Sequence, residues 1–155
     1  MKLNQILFLA VAALLSLPAT AQSTSDMQIL AEKIKADKKL VVAANMQLTE
    51  EEAKRFWPVY DAYQADLQKI NTRMLGAIKR YADAYNKGSV PDETARKLIN
   101  EAIGIEEAEV KLKRSYLPKL EKAIPGMKVA RYLQIESKIR AVARYELAAQ
   151  IPLVQ

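Results

Sequence analysis

The sequence predicts an all-α protein, an elongated hairpin of two long helices flanked by two shorter ones. Three observations carry this. Apolar residues from Phe56 to Tyr81 recur at spacings of 4, 3, 4, 3, 4, 3 and 4, a heptad seam that only a long helix presents on one side. The 155 residues contain only 4 Gly and 6 Pro, too few for the many turns of a sandwich or barrel. The chain is 50% hydrophobic and 27% charged, the balance of a folded chain rather than a disordered one.

The first 21 residues read as an export address. Lys2 gives a positive start, residues 6–15 form a short apolar run, and Pro18 breaks it before Ala19-Thr20-Ala21. That order matches a secretory signal with cleavage between Ala21 and Gln22. A spanning helix needs about 20 apolar residues, and this run is shorter. The expected organisation is a signal peptide at 1–21 and one helical domain at 22–155, placed in the periplasm.

The first helix is expected from Asp26 to about Asn45, with Ile29, Leu30, Ile34, Leu40, Val41 and Ala44 inward. Leu48-Thr49-Glu50-Glu51-Glu52 then opens the second. Thr49 is an N-cap and Glu52, three residues on, closes a capping box. The hydroxyl accepts one orphan backbone N–H, and the carboxylate accepts another. Leu48 can pack back as a staple, and three acids suit the positive end of the helix dipole. This helix should run to about Lys87, stop at Gly88, and be kinked or loosened at Pro58, which lacks an N–H. At roughly 55 Å its seam is longer than one small domain buries alone, so a dimer is expected.

Pro91-Asp92-Glu93 starts the third helix, with Ala95, Leu98, Ala102, Ile105, Leu112, Tyr116 and Leu120 inward and Glu109 intruding. Pro125-Gly126 ends it. The fourth is expected from about Met127 to Gln150, carrying Val129, Tyr132, Leu133, Ile139, Val142, Ala143 and Leu147. Pro152 then disfavours helix, so Ile151 to Val154 should be extended.

Catalysis is not expected. With 0 Cys and 0 His, thiol nucleophiles, imidazole bases, disulfides and zinc fingers are excluded. No phosphate loop or nucleophile elbow occurs, and no cofactor or metal is expected. The charge, net +6, is unevenly spread. Asp92 to Glu109 holds 6 acids against 2 bases, and Lys111 to Arg144 holds 10 bases against 2 acids. Part of this is helix-dipole complementarity. In an exported chain the rest reads as a basic surface for acidic or unfolded segments rather than for nucleic acid. The expected contact residues are Arg131, Tyr132, Leu133, Lys138, Arg140 and Arg144, charge speeding encounter and apolar groups holding on.

With its signal, its cysteine-free helical domain and the Leu48-Thr49 start of a long helix, the chain resembles the Spy/CpxP family of small exported helical proteins. That family's signature is L-T-x-x-Q; Leu48 and Thr49 match, and Glu52 stands at the Gln position. The family's second copy, near the start of the last helix, has no counterpart in residues 125–131. The resemblance implies an antiparallel dimeric cradle and an ATP-independent chaperone for unfolded or stress-damaged envelope proteins. The alternatives are a stress-signalling regulator that binds a membrane sensor domain, or a structural protein on an anionic envelope surface.

Overall fold

The computed structural model describes residues 37–154, and these are helical with an extended tail. The expected cleavage site at Ala21 and Gln22, and the first helix before residue 37, lie outside the described residues. The chain divides into two compact units at Val41/Val42. In the first, the described residues 37–41 are helical, with Leu40 and Val41 exposed. The second carries everything that follows.

Helix α1 is described over 37–46. Its buried residues are Val42 and Met46, four apart, while Leu40, Val41 and Ala44 are exposed. The inward face of its last turns is therefore rotated from the one expected. Gln47, with φ 49°, turns the chain in the left-handed region that costs a side-chain-bearing residue about 1–2 kcal/mol. Helix α2, Glu50–Tyr85, follows at once. Thr49 has extended backbone, its Oγ1 accepts from the Glu52 N–H at 3.3 Å, and the Thr49 N–H donates to Glu52 Oε2 at 2.8 Å. Gly88, with φ 100°, supplies the turn into α3, Asp92–Ala123. Pro125 caps α4, Gly126–Gln150, and Ile151 is extended beyond it.

Pro58 stands inside an unbroken α2, and Pro118 inside an unbroken α3. Each ring removes one ladder hydrogen bond. Both prolines are exposed, so water can reach the carbonyls they leave without a partner.

Helices α2 and α3 form the antiparallel hairpin, and α4 returns alongside α2. Its register is fixed at three heights. Tyr132 packs among Phe56, Tyr60 and Tyr63, with ring centroids 5.2 to 6.1 Å away. Arg140 Nη1 donates to Asn71 Oδ1 at 3.3 Å. Tyr81 Oη donates to the Pro152 carbonyl at 2.8 Å. The core gathers where α1 meets the start of α2, the end of α3 and the start of α4: Val42, Met46, Phe56, Tyr60, Tyr63, Leu67, Tyr116, Leu120, Ile124, Val129 and Tyr132. Edge-to-face ring pairs of this kind add about 0.5–1.5 kcal/mol each beyond burial. Leu48 and Trp57 are half-buried against the same cluster.

The seam of α2 is thus covered within the chain: Phe56, Tyr60, Tyr63, Leu67 and Ile70 are buried, and Met74, Ala77 and Tyr81 are half-buried. It needs no second chain to hide it. Ala102, expected inward on α3, is exposed, as are Val142 and Ala143 on α4. The inward row of α4 runs instead through Val129, Tyr132 and Glu136 to Arg140, at helical spacings of 3, 4 and 4.

Candidate functional site

The six residues expected to form one binding face separate into two groups. Tyr132 is fully buried. Its Oη accepts from Gln64 Nε2 at 3.2 Å, and burial pushes its hydroxyl pKa far above the usual tyrosine value. It is a core residue and no client can reach it. Leu133 is half-buried against the core cluster. Arg140 is also withdrawn: its side chain is 12% exposed and its guanidinium pairs with Glu109, itself 5% exposed. Arg144 Nη2 reaches the other carboxylate oxygen at 2.9 Å. Both arginines neutralise the acid that intrudes on the α3 seam, because an unpaired buried carboxylate would be costly. Tyr132 and Arg140 are therefore corrected from contact residues to structural ones, while Arg144 pairs with Glu109 and keeps 46% of its side chain exposed.

Arg131 and Lys138 remain. They lie seven apart on α4, both exposed, and line one cleft of about 340 Å³ with Ala44, Asn45, Gln47, Gln134 and Ile135. The cleft is built by the tight α1–α2 junction. Lys128 Nζ donates to the Gln47 carbonyl at 2.9 Å and also pairs with Glu52. Arg131 Nη1 donates to Gln47 Oε1 at 3.0 Å. The strained Gln47 turn is thereby clamped to α4 from both its backbone and its side chain. The same Lys128 holds the Glu52 carboxyl below its ordinary 4.5, with the Thr49 N–H bond adding to the effect.

Among the described residues the lining holds two cations, three amide side chains and a half-buried isoleucine, with no carboxylate. Such a surface can accept a carboxylate by charge-assisted hydrogen bonds and offer Ile135 to an adjacent apolar group. Its described residues include no nucleophile–base pair. Among the described residues no three carboxylates gather as a metal site, and no helix is long and apolar enough to cross a membrane. Gln134 and Ile135 were not singled out in the sequence. Their signal is the spacing 131, 134, 135, 138, one helical face. The contribution of Ala44, Asn45 and Gln47 comes from tertiary packing and has no local signal.

No protein-family model, curated protein or solved structure matches this chain.

Proposed function

We propose that this protein is an exported, ATP-independent holding protein that captures acidic or partly unfolded segments of envelope proteins in the α1–α4 cleft. The single observation that carries this reading is the Arg131–Ile135–Lys138 row, basic and apolar at once, lining a cleft with no carboxylate among its described residues. Export is supported by the Lys2 start, the short apolar run and Ala19-Thr20-Ala21. The likeness of Leu48-Thr49 and the helical hairpin to Spy/CpxP proteins supports the same reading. Charge brings an acidic segment in and apolar contact retains it. The attraction is screened beyond about 8 Å at physiological salt, so capture slows with salt without being abolished.

The test is binding of a fluorescently labelled, permanently unfolded acidic polypeptide, read by anisotropy. Arg131→Glu with Lys138→Glu should weaken binding by about tenfold or more, equivalent to about 1.4 kcal/mol, with helicity unchanged. Equal binding by parent and double variant at low salt would remove the cleft from the account. Binding only to a purified sensor ectodomain, with none to unfolded chains, would assign the protein to signalling instead.

A further inference from the structure

Helix α4 lies on one side of the α2–α3 hairpin, and the side turned away from it is basic. On α2, Gln64 and Asn71 face α4. Asp66 and Arg73 follow them by two residues, about 200° round the helix, and meet α3 instead. Asp66 Oδ2 accepts from Tyr116 at 2.7 Å, and Arg73 Nη2 lies 3.9 Å from where Gly104 would carry a Cβ. Arg80, seven residues after Arg73, pairs with Glu101. On α3, Glu109 faces α4, and Lys111, two residues on, is turned away from it in the same manner. Lys122 follows Lys111 by eleven residues, about three full turns. Lys119 Nζ stands 4.2 Å from the Tyr116 ring centroid, which places it on the same edge.

The carboxylates that bridge the two helices here are already engaged. Asp66 takes Lys69 and Tyr116, and Glu101 takes Arg80. Arg73, Lys111, Lys119 and Lys122 are exposed. Among the described residues none of these four makes an ion pair. Between the rows α3 carries the short residues Gly104, Ala108 and Ser115, and from Gly104 to Lys122 the edge runs roughly 27 Å. We propose that this edge binds a linear phosphate polymer, laid lengthwise between Arg73 on one side and Lys111, Lys119 and Lys122 on the other. Arg73 can hold a phosphate through two N–H groups, while the lysines act as point charges. Two rows of cations along a valley suit a thread better than a flat bilayer. The exposed Ile103 and Val110 stand one residue, about 100°, round α3 from Gly104 and Lys111. A protein segment in the valley would therefore meet charge without the apolar contact that Ile135 offers in the α1–α4 cleft. The edge is independent of that cleft.

Long-chain inorganic polyphosphate is the probe, with tripolyphosphate and phosphatidylglycerol vesicles as comparisons. The parent should bind the long chain with an affinity that falls steeply with salt, as counterions are released. Tripolyphosphate, too short to span the edge, should bind about tenfold more weakly or worse. Arg73→Gln, Lys111→Gln and Lys122→Gln together should weaken long-chain binding by about tenfold or more, with helicity unchanged. The charge-matched variant Lys54→Gln, Lys79→Gln, Arg96→Gln, on other faces of the same helices, should stay within about twofold of the parent, because only screened long-range attraction changes. Acetylation of the complex should spare Lys111, Lys119 and Lys122 while Lys79 still reacts. Equal losses in the two triple variants, protection spread evenly over the lysines, or no binding by the parent overturns the proposal. Binding to the vesicles that is tighter than to polyphosphate overturns it as well, and would assign the edge to a lipid surface.

Discussion

Glu52 joins two interactions at the start of α2: it closes the capping box on the Thr49 N–H and it receives Lys128 from α4. From the sequence alone, Gln at this position looks equivalent, because an amide also closes the box. The structure makes the charge matter, so Glu52→Gln should lower stability at neutral pH. Thr49→Ala removes only the cap and should cost about 1 kcal/mol. The pH dependence separates the two. The Glu52 carboxyl is held below 4.5 in the folded protein, so its contribution is present above that value. It is lost as pH falls through the lowered folded pKa. Urea denaturation across this range should show the Glu52→Gln deficit shrinking on acidification while the Thr49→Ala deficit persists. A Glu52→Gln deficit that is constant with pH would deny the carboxylate its role.

At the scale of the element, α3 and α4 are fastened in their middle by Glu109, Arg140 and Arg144 rather than by apolar packing. Glu109→Ala leaves Arg140 largely buried with its carboxylate gone, and breaking a buried pair in this way costs about 3–5 kcal/mol. Replacing both partners, Glu109→Leu with Arg140→Met, should recover most of that loss, because an apolar pair needs no neutralisation. Denaturant midpoints of the single and double variants measure this, and a double variant as weak as the single would contradict it. Arg140→Glu with Arg144→Glu would place three acids together and should unfold α4, so it cannot serve as a test of an exposed surface.

This junction also shows what was legible in the sequence. The α2 seam was readable because every inward position on it is apolar, and the cap because its chemistry is local. The α4 inward row was misread because it changes from Val129 and Tyr132 to Glu136 and Arg140. A polar residue on a buried stripe is recognisable only when its partner on another helix is known. Arg131 and Lys138 were legible as basic surface, but the cleft that joins them depends on where α1 ends.

For the molecule as a whole, the core is rich in tyrosine, and with 0 Cys no disulfide supports it. Tyr60, Tyr63 and Tyr132 are buried together, and Tyr116 donates to Asp66 Oδ2 at 2.7 Å. Burial pushes the Tyr116 hydroxyl up to about 12, with its bond to Asp66 adding to the rise. Burial likewise raises the other three, with Glu136 nearby adding to each. A tyrosine whose folded pKa is raised contributes stability below its ordinary value of 10.0. That contribution is lost as pH climbs from there through the folded pKa. Alkaline titration should therefore show these four tyrosinates appearing together with loss of helicity. Their ionisation at the ordinary value, with the helix signal intact, would contradict the packing described.

Capture of unfolded chains by the cleft at the α1–α2 junction, as proposed, is decided by suppression of client aggregation at low salt, comparing the parent with the Arg131→Glu, Lys138→Glu variant. Helicity and melting temperature are recorded on the same samples. The parent should delay aggregation, added salt should weaken the delay, and the folded double variant should lose most of it. A folded double variant that protects the client as well as the parent would contradict the claim.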